Sequence, residues 1–125
     1  MNDKNDSIFN PVVEGRTLLM RAAFKGDLEM AVALLHEGAH VNAQDRDGDT
    51  ALMFAAMNGH FLIVKLLLGH GADVFLPARN GWTARKAAQS RGYQEIVALL
   101  ERAEVKVAAD GMSRLVDEFS GEAEA

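Results

Sequence analysis

Gly15, Gly48 and Gly81 each open a stretch that returns at a constant step of 33 residues. The three stretches read Gly15-Arg16-Thr17-Leu18-Leu19-Met20, Gly48-Asp49-Thr50-Ala51-Leu52-Met53 and Gly81-Trp82-Thr83-Ala84-Arg85-Lys86. The register persists downstream. Ala22, Ala55 and Ala88 align, then Gly26, Gly59 and Gly92, then Leu34, Leu67 and Leu100, then Val41, Val74 and Val107. A fixed period of about 20–50 residues means a stack of equal small units, each burying its apolar side on the next. A stack of this kind presents an extended surface rather than a closed catalytic pocket.

At 125 residues the chain has room for one domain, and with 49% apolar residues it can bury a core. A formal net charge of -5 does not favour nucleic acid or a membrane surface as partner. The absence of cysteine excludes disulfide and thiolate chemistry. The polar start, Met1-Asn2-Asp3-Lys4-Asn5-Asp6, has no apolar stretch that could serve as a signal peptide. The longest apolar run, Phe61 to Leu68, is broken by Lys65 and is too short to span a bilayer. The expectation is a cytoplasmic protein.

Each unit reads as two short helices and a turn. In the second unit Thr50 is an N-cap, its hydroxyl able to accept from an orphan amide of the first turn. A helix follows through Leu52, Ala55 and Ala56 and stops near Gly59. A second helix carries Ile63, Val64, Leu67 and Leu68, one buried helical face, and ends at Gly69-His70-Gly71. Ala72-Asp73-Val74 is then extended, and a polar turn leads into the next unit. Helices this short are marginal alone in water, so their stability must come from the neighbouring unit.

The run from Asp47-Gly48-Asp49-Thr50-Ala51-Leu52 through Leu66-Leu67-Leu68, with Gly71-Ala72-Asp73-Val74 after it, resembles the ankyrin repeat. The resemblance covers roughly residues 15–103. A half-unit precedes it, since Ile8 falls one period before Val41 and Phe9-Asn10-Pro11 echoes Phe75-Leu76-Pro77. It implies an all-α ankyrin-repeat solenoid of three helix-turn-helix units, with short β-hairpin-like loops and a C-terminal capping helix. The expected divisions are an N-terminal arm over 1–14, repeats over 15–47, 48–80 and 81–108, and a short amphipathic tail helix with a disordered end over 109–125.

The chain departs from the family pattern at several places. Met20 and Met53 replace the family's histidine, so the bonds of that side chain are expected to be lost and the thioether to fill the gap by packing. Leu18, Ala51 and Ala84 replace its proline. Arg21 takes the place where Phe54 packs, and Glu101 the place of Leu68. Both polar exchanges fit terminal units whose outer faces meet water. Arg85, at the position of Leu19 and Leu52, has no account in the sequence beyond a looser last unit.

The resemblance implies binding of another protein through a concave face of hairpin tips and first helices. Carried onto this chain, that face holds Arg16, Phe24 and Lys25 from the first unit. It holds Arg46, Asp47, Asp49, Met57 and Asn58 from the second, and Arg79, Asn80, Trp82, Ser90 and Arg91 from the third. Phe24, Met57 and Trp82 stand where packing within the stack demands no large side chain, and aromatic anchors beside arginines are common in interface hot spots. Their plainer reading is that Phe24 and Met57 fold onto their own helices and Trp82 covers a hairpin. Phe75 and Leu76, aligned with Asn42 and Ala43, are further candidates, or else pack under the tail. In the tail, Asp110-Gly111 signals a turn, and Met112, Leu115, Val116 and Phe119 then form one apolar stripe. That stripe suits a helix folded over the third unit, or one that docks a partner or a second copy.

Two further classes of function need an answer. His36-Glu37-Gly38-Ala39-His40 matches H-E-x-x-H, which would make the chain a zinc-dependent hydrolase using His36, Glu37 and His40. That chemistry needs both histidines on one continuous helix. Gly38 aligns with the helix-ending Gly71, and His40 with Asp73 in the extended segment, so the period opposes it. Asp45-Arg46-Asp47-Gly48-Asp49 resembles a calcium loop, but the oxygen spacing is wrong and no bidentate glutamate follows. His60 reads as structural, between the two helices. No cofactor or metal is expected. The remaining alternative to a monomeric binding module is a structural homodimer built through the tail helix.

Overall fold

The computed structural model describes residues 15–124, with side chains through Gly111. The expected arm over 1–14 and the side chains of the Met112–Phe119 stripe lie outside the described residues. The described residues form six helices: α1 (Leu18–Lys25), α2 (Leu28–His36), α3 (Ala51–Met57), α4 (Phe61–Gly69), α5 (Ala84–Arg91) and α6 (Gln94–Glu124). They pair as α1–α2, α3–α4 and α5–α6. The first helices of the pairs pack in one row, α1 on α3 on α5, and the second helices in another, α2 on α4 on α6.

Local chemistry sets the helix starts. Thr17 Oγ1 accepts from the Met20 N–H at 3.1 Å, and Thr50 Oγ1 from the Met53 N–H at 3.2 Å. In the first unit the Thr17 N–H also donates to Met20 Sδ at 3.4 Å. The thioether therefore does more than fill space. It closes a capping box in which sulfur, a weak acceptor, stands where a glutamate oxygen is usual. Asp27 caps α2 through its carboxylate, accepting from the Met30 N–H at 3.1 Å.

The core runs the length of the stack. Ala23, Ala31, Ala55, Ala56, Val64, Leu67, Ala88 and Leu100 are wholly buried. Alanine at 22, 55 and 88, once per unit in the first-helix row, lets neighbouring helices approach closely. The turn between the two helices of a pair is sealed by the following unit. Gly26 (φ 83°) and Gly59 (φ 77°) have left-handed backbones. A Cβ on Gly26 would lie 2.6 Å from the His60 ring, and one on Gly59 2.9 Å from the Tyr93 ring. His60 Nε2 also donates to the Phe24 carbonyl at 3.0 Å. His60 is structural as expected, and its bond runs to the preceding unit.

The hairpin tips are stitched to one another by polar bonds. The Arg79 N–H donates to the Asp47 carbonyl at 2.9 Å, and Gln44 Nε2 donates to the carbonyls of Gly48 and Pro77. Asn42 joins consecutive loops, donating to the Gly71 carbonyl and accepting from the Asp73 N–H at 2.7 Å.

The third unit differs from the sequence expectation. The turn expected at Asp110-Gly111 is not formed, because α6, 31 residues in all, runs through it without a break. A glycine inside a helix costs only about 1 kcal/mol relative to alanine, and Ala108 and Ala109 beside it are strong helix formers. The C-terminal helix is present, but as the continuation of the third unit's second helix rather than a separate tail element. The cause lies one period after Gly71, where Glu104 replaces the helix-ending glycine. Val107, in register with the buried Val74, is consequently half-exposed on the running helix. Glu104 also resolves Arg85, whose Nε donates to Glu104 Oε2 at 2.9 Å.

Candidate functional site

The face made by α1, α3, α5 and the two hairpins carries the residues singled out for partner binding. At its first unit Arg16, Phe24 and Lys25 line one hollow of about 160 Å³ together with Met20, Arg21 and Phe54. Phe24 meets Phe54 edge to face, with ring centroids 6.0 Å apart, and Arg16 lies over the Phe54 ring at 5.2 Å. Phe24 thus has a packing role across units, contrary to the expectation that the stack makes no demand on it, and still leaves about half of itself, 52%, exposed. Arg21 and Phe54, read from the sequence as a capping polar residue and a packing residue, belong to this hollow as well. The signal for them was available: Arg21 precedes Phe24 by three residues and Lys25 by four, so all three share a helical face.

Arg16 also donates through Nε to Asp45 Oδ2 at 3.4 Å. Asp45 is nearly buried, and its other oxygen accepts from the N–H groups of Asp47 (3.0 Å) and Asp49 (2.8 Å). Asp45 is therefore the organiser of the first hairpin. Arg16, Asp45, Arg46 and Asp47 surround a neighbouring depression. Burial, then the carboxylates of Asp45 and Asp47, push the Asp49 carboxyl above its ordinary 3.8, and Arg16 opposes the shift only in part. The side chains of Asp45, Asp47 and Asp49 bring one oxygen each to within 4.8 Å of one another. Turn amides and Arg16 already use Asp45, which agrees with reading this segment as a hairpin.

Other expected residues are spread along the face. Met57 is half-buried against the core, and Asn58 Nδ2 donates to the Phe24 carbonyl at 3.2 Å. The Ser90 hydroxyl donates to the Ala87 carbonyl of its own helix at 2.8 Å. Trp82 is 40% exposed, with its N–H held by Asn80 Oδ1 at 2.9 Å. Arg46, Asp47, Arg79, Asn80 and Arg91 are exposed, as is Phe75.

The H-E-x-x-H residues do not share a helix. His36 is the last residue of α2, Glu37 is its C-cap, and Gly38 turns away with φ 98°. His40 lies beyond it in irregular chain. The geometry that lets two histidines four residues apart hold one zinc is not formed. Among the described residues no helix is long and apolar enough to cross a membrane.

Residues 19–110 match the family model described as ankyrin repeats, in three copies. No curated protein matches the chain.

Proposed function

The chain belongs to the ankyrin-repeat family, and from that footing we propose that it is a cytoplasmic adaptor, inhibitor or chaperone of one protein partner. Ankyrin repeats generally serve as protein-binding modules and are typically not enzymes. The proposed contact face comprises Arg16, Phe24 and Lys25, then Arg46, Asp47, Asp49, Met57 and Asn58, then Arg79, Asn80, Trp82, Ser90 and Arg91.

One observation carries this reading. The face of first helices and hairpins leaves Phe24 and Trp82 exposed beside arginines and lysines, although the same helices bury nearly all their other apolar groups. Rigid aromatics next to cations, held on a packed scaffold, are what an interface anchor requires.

The test is affinity capture from the source organism, identified by mass, with wild type and with the double variant Phe24→Ala/Trp82→Ala. A protein retained in near-stoichiometric amount by the wild type and lost by the variant is the expected result. Circular dichroism of the variant must stay helical. Capture that persists through the variant would remove these two anchors. Zinc bound stoichiometrically to untagged protein, and lost with a hydrolytic activity in His40→Ala, would overturn the module reading itself.

A further inference from the structure

Charge on this molecule is sorted by row. The first helices α1, α3 and α5 contain five cations, Arg21, Lys25, Arg85, Lys86 and Arg91, and no carboxylate. This occurs in a chain whose net charge is -5. The compensating acids lie elsewhere: α6 alone carries Glu95, Glu101, Glu104 and Asp110 against Arg102 and Lys106 over its described side chains. Helix dipoles favour a cation in a last turn, which accounts for Lys25 and Arg91. Glu104 accounts for Arg85. Arg21 stands in register with the packing Phe54 and Lys86 with the buried Met20 and Met53, so each lies on the outer side of a terminal unit, and among the described residues neither pairs with a carboxylate.

The hollow at the first unit adds a second constraint. Its floor is aromatic and its rim is Arg16, Arg21 and Lys25. Sites that enclose a whole small molecule usually exceed about 300 Å³, so a hollow of about 160 Å³ suits a single side chain. Resting on the reading of this face as a protein-binding surface, we propose that the partner is engaged through an acidic linear segment. One aromatic or large aliphatic side chain of that segment enters the hollow against Phe24 and Phe54, and carboxylates beside it face Arg16, Arg21 and Lys25 on the rim.

Electrostatic complementarity of this kind selects partners and speeds encounter. The carboxylates of Asp47 and Asp49 interrupt the positive row at the first hairpin, so the partner's acids sit over α1 and its uncharged residues over the hairpin. A nucleic acid duplex keeps its bases stacked out of reach of the hollow, and any phosphate backbone crossing the row would meet those aspartates.

The experiment is selection from a display library of randomised 12-residue peptides on the full chain, followed by titration of the selected peptides. The expected result is enrichment of sequences with several Asp or Glu around one Phe, Trp, Leu or Ile. Their affinity should fall about tenfold or more when Arg21→Glu and Lys25→Glu are combined. It should fall again as salt rises from about 50 to about 500 mM. Arg21→Gln with Lys25→Gln serves as the fold control, and should weaken binding less than charge reversal. Neutral or basic binders that still need Phe24 would overturn the acidic-segment proposal and leave the module reading standing. No enriched peptide, while affinity capture yields a protein, would do the same. Tighter binding of a single-stranded oligonucleotide than of any selected peptide would overturn both.

Discussion

Asp49 shows how a single residue reports the cost of an acidic turn. Its carboxyl titrates above its ordinary 3.8 in the folded chain because burial and two neighbouring carboxylates oppose ionisation. The folded state therefore holds a proton that the unfolded state has released over the interval just above that value, and stability falls as pH rises through it. Asp49→Asn is expected to raise the melting temperature at pH about 7, with the gain vanishing as the pH falls below about 4. Melting curves of both proteins across that range check this, and a gain that persists in acid would refute it. Phe24 differs, because its exposure and its packing coexist. Phe24→Ala should cost about 1 kcal/mol through loss of the edge-to-face pair with Phe54, measured by denaturant midpoint. A cost above about 3 kcal/mol would place Phe24 in the core rather than at a binding surface. The periodicity made the buried Leu67 and Ala88 legible, since burial follows the repeat. Arg16's bond to Asp45 was not legible, because the two are 29 residues apart and the partner is chosen by the fold.

At the scale of elements, five of the helices follow directly from periodic apolar positions with glycine near their ends, four of them starting at Thr or Asp and α4 at His60. The sixth does not, and its residues explain why. Asp110-Gly111 is a local turn signal that the loss of the glycine at register position 104 overrides. Glu104, one step after Gly71, removes the stop that ended α4, and helix propensity then carries α6 through Gly111. The same substitution supplies the counter-ion for Arg85, which the sequence left without a partner. A double-mutant cycle with Arg85→Ala and Glu104→Ala should return a coupling of about 0.5–1 kcal/mol, because the arginine is 38% exposed and the glutamate 16%. The coupling should shrink in high salt. No coupling would mean that the ion pair adds nothing to the stability of the third unit. The hairpins show the other limit of sequence reading: the bonds from Gln44 to Pro77 and from Asn42 to Gly71 join units through polar side chains that no hydrophobic pattern marks.

Across the whole molecule, stability is a sum of unit terms and of interfaces between neighbours, and the middle unit owns two interfaces. The burial pattern agrees: six of the seven residues of α3 are buried, against four of eight in α1 and three of eight in α5. Leu67 in α4 and Leu100 in α6 are equivalent by register and equally inaccessible, so truncation of either removes the same side chain from a similar surround. Each should cost about 2–5 kcal/mol locally, yet the consequences should differ. Leu67→Ala weakens the unit through which both ends are coupled, and should lower the single unfolding transition for every helix together. Leu100→Ala weakens a unit with one described neighbour, so the third pair can open while the first two remain joined. Native-state hydrogen exchange distinguishes the two. With Leu67→Ala, protection should fall in α1, α3 and α5 alike. With Leu100→Ala, it should fall first in α5 and α6 and stay high in α3. Equal loss across all helices in both variants would mean that the three units behave as one indivisible cooperative block, and the interface-sum description would then fail for this chain.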